Sequence, residues 1–320
     1  MPDTSTDVIG QAPAATTKPP KGGMVRRVRG LSDRAIAWIF VTPTILLLLA
    51  INIYPLVWTV YLSFTNYRAN RPNREIEWVG TRNYERILSD EGVWENLQRT
   101  AHFVTFTMLF QVLLGFGLAL LLHKRFKGHG LWTTLILLPM MLSPAVVGMY
   151  WKYLFDPQIG IFNYLINGIW DFGTFSMTSE VGLAPWAIII VDTWMWTPYI
   201  MLLCLAGLRS VPDYLYEAAE IDRASTWRKF WNITLPMVLP FLMLAVMFRA
   251  IENFKMFDLV FELTSGGPGN TTRLASIDLK ELAFDRWQTG RSSALAIILF
   301  VTVFGAMNVF VKLMNRVKAR

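Results

Sequence analysis

Six apolar stretches set the pattern of this chain, at about 36–64, 101–122, 132–154, 185–208, 237–254 and 293–313. Each is long enough to cross a hydrocarbon core of about 30 Å, which takes roughly 20 residues of helix. The predicted class is therefore all-α, a polytopic membrane protein with six transmembrane helices. The first stretch is overlong and contains Pro43 and Pro55, which predicts a kinked or tilted helix. The fifth carries Arg249, Glu252 and Asn253 in its outer half. Between these stretches the polar segments are short, and none can form a core of its own.

Lys and Arg positions orient the spans. If the N-terminus is inside, the inside segments 1–34, 124–131, 209–235 and 312–320 carry seventeen basic residues, against eleven outside. The short loops carry the rule best: Lys124, Arg125 and Lys127 stand on one side, and Asp156, Asp171 and Glu180 on the other. Both termini are expected in the cytoplasm. A basic cluster (Lys21, Arg26, Arg27, Arg29, Arg34) directly precedes the first span. The 23 residues at the N-terminus are rich in Pro, Thr, Ala and Gly. They should be disordered, and they lack the apolar h-region of a signal peptide. The expected divisions are a disordered basic tail (1–34), the first span with an outer segment (35–95), and a transmembrane domain (96–315) containing a loop at 210–236.

Composition narrows the chemistry. Charged residues make up 17% of the chain, below the roughly 25% of soluble domains. The formal charge of +7 is distributed in a way that suits a lipid bilayer and not nucleic acid. Cys204 is the single cysteine and the three histidines, His102, His123 and His129, are scattered, so no disulfide, metal site or cofactor is expected. Neither a phosphate-cradling Gly-x4-Gly-Lys-Ser/Thr loop nor His-Glu-x2-His is present. The chain is not expected to be an enzyme. The outer segments hold Trp78, Val79, Gly80, Asn83, Tyr84, Ile87 and Leu88, enough for one short helix, and the run Gly266–Asn270, which reads as a turn.

The loop at 210–236 is the most organised polar segment. Ser210 with Asp213 has the form of a capping box, which predicts a helix over about 211–221. Ala218 and Ala219 give that helix a face almost without bulk. Ser225 can cap a second helix carrying Trp227, Phe230, Trp231 and Ile233 at helical spacing, and Pro236 opens the fifth span. One reading is a docking surface for a protein; the other is a hairpin lying on the membrane with its aromatics among headgroups.

At these residues the chain resembles the permease subunits of binding-protein-dependent ABC importers. Their EAA motif runs Glu-Ala-Ala, three residues, Gly, nine residues, Ile-x-Leu-Pro; Glu217, Ala218, Ala219, Ile233, Leu235 and Pro236 match at that spacing. Arg223 stands where the motif has Gly. Tyr54-Pro55 with Ser63-Phe64, Trp78-Val79-Gly80 with Asn83-Tyr84, and Phe257-Asp258 with Thr264-x-Gly266-Gly267-Pro268-Gly269 are similar to the carbohydrate branch, of maltose and glycerol-phosphate type. The resemblance implies the type I ABC importer permease architecture. It implies that Glu217, Ala218, Ala219, Asp222, Arg223, Ile233, Leu235 and Pro236 couple the chain to an ATPase, which binds the ATP. It also implies a second permease subunit, two ATPase subunits, a periplasmic or extracellular solute-binding protein, and a sugar-like small molecule moved by alternating access.

Ionisable residues within spans are functional candidates by default. Arg249 and Glu252, three apart on a helix, are expected to neutralise each other. Asp192, Trp194, Trp196, Arg249, Glu252 and Asn253 combine aromatic faces with oriented polar groups, as a sugar site requires. The bland readings are interfacial anchoring for the tryptophans, a structural pair for Arg249, and interhelical glue for Gln111 and Asn308. The rival functions are an ABC permease for another solute, such as glycerol phosphate or a polyamine, and a stand-alone secondary transporter, which internal repeats would have marked.

Overall fold

The computed structural model describes residues 32–71, 73, 75–124, 126–169 and 175–318. The predicted tail therefore lies outside the described residues up to residue 31, as do Arg125 and Asp171. The chain forms two compact units, 1–55 and 56–320. In the first, the described residues are the N-terminal part of α1 (Asp33–Ser63), a helix with Pro43 and Pro55 inside it and exposed apolar side chains from Trp38 to Ile53.

After α1 come α2 (Arg82–Leu88), α3 (Glu91–Leu122), α4 (His129–Leu137), α5 (Pro144–Leu154), α6 (Ile161–Ile169) and α7 (Ala184–Arg209). The chain continues through α8 (Asp213–Ile221), α9 (Thr226–Lys229), α10 (Leu235–Phe254), α11 (Asp258–Thr264), α12 (Ala275–Lys280) and α13 (Thr289–Lys318). Among the described residues the β structure is one isolated antiparallel bridge, Thr65 to Trp78.

Among the described residues, five unbroken helices are long and apolar enough to cross a membrane: Arg34–Ser63, Glu91–Leu122, Ala184–Arg209, Thr226–Phe254 and Thr289–Arg316. The expected span at 132–154 is broken into α4, a 3₁₀ turn at Pro139–Met141, and α5. Two prolines cause this. Each lacks an N–H, and each crowds the preceding turn. Leu142 and Ser143 are extended, with ψ of 153° and 134°, and Pro144 restarts the helix at its first position. Other boundaries move outward. Asp90 caps α3 through Oδ1 at 3.1 Å from the Gly92 amide, so that helix begins at Glu91 and not at 101.

The fifth span has no break from the loop that precedes it. The helix runs from Thr226 to Phe254 through a π-helical turn at Phe230–Thr234. Pro236 has no N–H to offer the carbonyl four residues back, and the Leu235 amide bonds instead to Phe230, five residues back.

Helix α7 is the centre of the second unit. Its most apolar stretch is 67% buried, against 33% for α3, 28% for the α9–α10 run and 11% for α13. Small residues let its neighbours approach. A Cβ on Gly115 of α3 would sit 2.7 Å from Ile200 Cβ and 3.0 Å from the Thr197 carbonyl, and one on Gly207 would sit 2.9 Å from the Phe241 ring.

Opposite the 210–236 loop, the segments after α1 and before α13 are knitted together. Asn83 Nδ2 donates to the Ser63 and Thr65 carbonyls at 2.9 Å each, and the Gly290 amide donates to Tyr67 at 2.9 Å. Arg291 reaches Asp90 at 2.7 Å, and the Ala275 amide donates to Thr100 Oγ1 at 3.0 Å. The expected turn at 266–270 is present, with left-handed Ser265, Gly266, Gly269 and Asn270. Behind it Glu281 sits between Arg273 and Arg286. Burial opposes its charge, yet the Arg286 hydrogen bond and the two guanidinium charges hold its carboxyl below the usual carboxylate range.

The loop helices differ from expectation at their start. Ser210 does not cap α8: its hydroxyl donates back to the Gly207 carbonyl at 2.7 Å, finishing α7, and Pro212 takes the cap position without a side-chain bond. Ser225 caps α9 as expected, accepting from the Arg228 amide at 3.3 Å. Between them Arg223 has φ of 52°. Its amide bonds to Glu220 at 3.0 Å and that of Ala224 to Ala219 at 2.9 Å, the paired bonds of a Schellman C-cap with Arg at the glycine position.

Two stability outcomes follow. Gly115→Ala should lower the unfolding free energy of the purified protein by about 1–3 kcal/mol through overpacking. Gly117→Ala, whose Cβ meets nothing within 4 Å, should not lower it, and thermal unfolding in one detergent compares the two. Arg223→Gly should raise stability by up to about 1 kcal/mol, because it removes left-handed strain from a non-glycine residue. Unchanged thermal midpoints for both Gly115→Ala and Arg223→Gly would contradict these assignments.

Candidate functional site

A buried ionic cluster joins α3, α7 and α10. Arg249 Nη2 lies 2.6 and 2.7 Å from the two carboxylate oxygens of Asp192. Gln111 Nε2 donates to both Asp192 Oδ2 and the Asp192 carbonyl at 3.0 Å, while its Oε1 accepts from Arg249 Nε at 3.2 Å. The guanidinium also lies 4.6 Å from the centroid of the Trp196 ring. Asp192 is 0% and Arg249 3% exposed. Removing one partner of such a buried pair typically costs about 3–5 kcal/mol, because the other charge is left without compensation.

This corrects the expected pairing of Arg249 with Glu252. Glu252 bonds instead to Lys255 at 2.7 Å, where both side chains are exposed. The reason is dielectric. Attraction strengthens where water is excluded, so Arg249 turns to the buried carboxylate of α7 and not to the solvated one on its own helix. Gln111 is indeed a bridge between helices. The exposed Asn308 side chain donates to the Phe304 carbonyl within α13 at 2.8 Å.

The other polar candidates separate. Trp194 is 41% exposed and meets Trp151 edge-on at 5.4 Å. Asn253 is fully buried, and among the described residues neither its nitrogen nor its oxygen has a bonding partner. Trp196, Arg249 and Glu252 share a cavity of about 340 Å³ with Tyr199, Phe248 and Ile251. Sequence reasoning missed these last three, although helical spacing carried the signal. Tyr199 follows Trp196 by three positions and Phe248 precedes Glu252 by four, so each pair shares a face. The cavity has aromatic walls and charged edges. On Arg249, Nε and Nη2 are engaged with Gln111 and Asp192, and among the described residues the Nη1 hydrogens have no protein acceptor.

At the base of the spans α8 and α9 are tied together and to α10. The Tyr216 hydroxyl lies 2.9 Å from Thr234 Oγ1, and Lys229 Nζ lies 3.0 Å from Glu220. Glu217, Ala218, Asp222 and Arg223 are exposed, and Ala219 is partly so. Ile233 and Leu235 are partly buried, and Pro236 is exposed. The aromatic stripe has two sides: Phe230 packs near Phe116 of α3 at 6.0 Å, while Trp227 and Trp231 are exposed. The ordered loop thus leaves acidic, small and aromatic side chains uncovered, while Tyr216 and Lys229 tie α8 to the helix that bears Arg249.

Comparison with known proteins gives this geometry its context. A family model described as "Binding-protein-dependent transport system inner membrane component" matches residues 111–318. The chain is 34% identical to a probable ABC transporter permease protein of Sinorhizobium fredii, over 89% of this chain and 91% of that one. It is 32% identical to a trehalose/maltose transport system permease protein of Thermococcus litoralis, over 88% and 94%. A trehalose transport system permease protein of Mycobacterium tuberculosis is 31% identical, over 88% and 90%. A chain from a bacterial alginate ABC transporter has the same fold, with a TM-score of 0.77 at 18% identity, over 88% of this chain and 95% of that one. These matches set aside the stand-alone secondary transporter. The chain belongs to the binding-protein-dependent inner membrane component family: it is a multi-pass permease subunit of an ABC importer, a transport component and not an enzyme.

Proposed function

We propose that this permease moves a sugar or related polyol inward by alternating access. The observation that carries the proposal is the cavity beside the buried ion pair. Sugars present apolar C–H faces and many hydroxyls, and bind where aromatic rings supply area and a few polar groups fix orientation. Trp196, Tyr199 and Phe248 supply the rings; Glu252 and the unengaged edge of Arg249 supply an acceptor and a donor. The volume, about 340 Å³, is at the small end of ligand pockets, which span about 300–1,000 Å³. Relatives named for trehalose and maltose transport, 31–32% identical over 88% of the chain, support the substrate class.

In this reading the six original candidates take different roles. Trp196, Arg249 and Glu252 face the substrate. Asp192 holds Arg249 in place, and Trp194 packs against Trp151. Asn253, one turn past Arg249 on α10, is buried outside the cavity lining. Both termini and the 210–236 loop lie in the cytoplasm, as the Lys and Arg asymmetry supports. There Glu217, Ala218, Ala219, Asp222, Arg223, Ile233, Leu235 and Pro236 form or brace the surface that docks an ATPase. The small Ala218–Ala219 face admits close approach, and Trp227 and Trp231 add contact area. The complete importer has a second permease subunit, two ATPase subunits that bind the ATP, and an external solute-binding protein. ATP-driven closure of the ATPases moves α8, and the Tyr216–Thr234 contact passes that motion to α10. Because the cluster of Gln111, Asp192 and Arg249 is costly to break, α3, α7 and α10 turn as one body around the cavity.

Reconstituting the chain in proteoliposomes with a partner permease, ATPase subunits and a solute-binding protein tests this directly. Uptake of radiolabelled trehalose or maltose should require ATP and every subunit. Trp196→Ala should reduce uptake at least 10-fold while ATPase assembly is retained, and Ala218→Trp should abolish uptake by blocking the docking face. Full uptake by Trp196→Ala, or failure to carry any sugar or polyol in the intact complex, would contradict the proposal.

A further inference from the structure

At the end of the spans opposite the 210–236 loop lies a second cavity, of about 270 Å³, that the transport reading does not use. Its lining includes Arg68, Arg82, Arg86, Arg291, Asn66 and Glu77. Among the described residues, Arg68, Arg82 and Arg86 have no acid within ion-pairing distance. Glu77 is occupied, its Oε2 accepting from Asn66 Nδ2 at 2.7 Å. Arg291 bonds to Asp90 through Nη2, yet its Nε is buried and has no acceptor. The cavity therefore gathers guanidinium groups faster than it supplies oxygens to receive them.

The walls are fixed rather than loose. Asn83 locks the chain after α1, and Gly290 lies so close to Thr65 that an added Cβ would collide with its carbonyl. The cavity also sits at a defined depth. It is lined by residues directly after α1 ends at Ser63 and at the start of α13 at Thr289. Around it Tyr61, Trp78 and Trp287 are exposed, and Trp78 stacks on Phe64 at 5.2 Å. Exposed Trp and Tyr at the ends of spans mark the headgroup level of a bilayer.

We infer that this cavity is a phosphate oxyanion site, filled by the headgroup of an anionic phospholipid in the leaflet opposite the loop. A phosphate group supplies several strong acceptors to several guanidinium forks at once, and the aromatic collar places the cavity where such groups lie. The same chemistry would accept free inorganic phosphate, so the two sources have to be separated by experiment.

The test uses the full-length chain in mild detergent, followed by intrinsic tryptophan fluorescence and native mass spectrometry. Short-chain phosphatidylglycerol, short-chain phosphatidylcholine and inorganic phosphate are each titrated, with sodium chloride at matched ionic strength as the reference. Phosphatidylglycerol should bind in preference to phosphatidylcholine. The double variant Arg82→Gln/Arg86→Gln should bind it about 30-fold more weakly, as expected for removing two cations at an anionic surface. Both arginines are exposed and, among the described residues, make no ion pair, so the variant should keep its helicity and elution volume. Binding of phosphatidylglycerol that phosphate does not displace identifies the lipid as source; saturable phosphate binding that displaces it identifies the free ion. Equal binding of the two lipids with no phosphate effect would overturn the inference. So would a double variant that binds phosphatidylglycerol normally but loses stimulation of the assembled ATPase by its solute-binding protein, since the arginines would then serve a protein partner.

Discussion

The structure depends on a charge pair buried between three helices. Asp192 on α7 and Arg249 on α10 meet at 2.6 Å with almost no exposure, and Gln111 on α3 bonds to both. Apolar packing alone discriminates weakly between neighbours inside a bilayer, because lipid tails are as apolar as leucine. A buried pair discriminates strongly, because any arrangement that separates the charges leaves each of them desolvated and alone. It fixes which helices neighbour one another and at what depth. The close approaches at Gly115 and Gly207 then fill in around that constraint.

The same constraint connects the cavity with the 210–236 loop. Arg249 orients its remaining N–H groups and Trp196 its ring because both are held from behind, one by Asp192 and one by the guanidinium it faces. At the other end of α10, Tyr216 and Thr234 tie the short loop helices to the span. A rigid helix with a fixed contact at each end is a suitable mechanical link, and the π-helical turn at Phe230–Thr234 marks where its regular bonding is interrupted.

The fold was legible wherever the sequence carried a periodic or local signal. Long apolar runs located five of the helices, the turn at 266–270 announced itself through glycine, and Ser225 capped α9 as its chemistry requires. Local signals failed where two of them competed. Pro139 and Pro144 outweighed the hydropathy of 132–154, and Ser210 finished α7 in preference to starting α8. The site was legible as a set of residue types and not as a set of pairs. Nothing in spacing distinguishes Glu252 from Asp192 as the partner of Arg249; the choice rests on burial, which only the packed helices define. Tyr199 and Phe248 were hidden for a related reason, since aromatic residues at helical spacing in a span read first as packing. Arg223 was visible as an oddity, and its left-handed φ of 52° shows that the turn keeps the glycine geometry without the glycine.

The most direct measurement is a double-mutant cycle on the ion pair. Asp192→Leu, Arg249→Met and the double variant are compared with the parent chain by thermal or denaturant unfolding in one detergent. Each single variant should lose about 3–5 kcal/mol, and the double variant should lose far less than their sum, because removing both charges leaves neither uncompensated. Losses that simply add, or single variants as stable as the parent, would contradict the claim that this pair holds the three spans together.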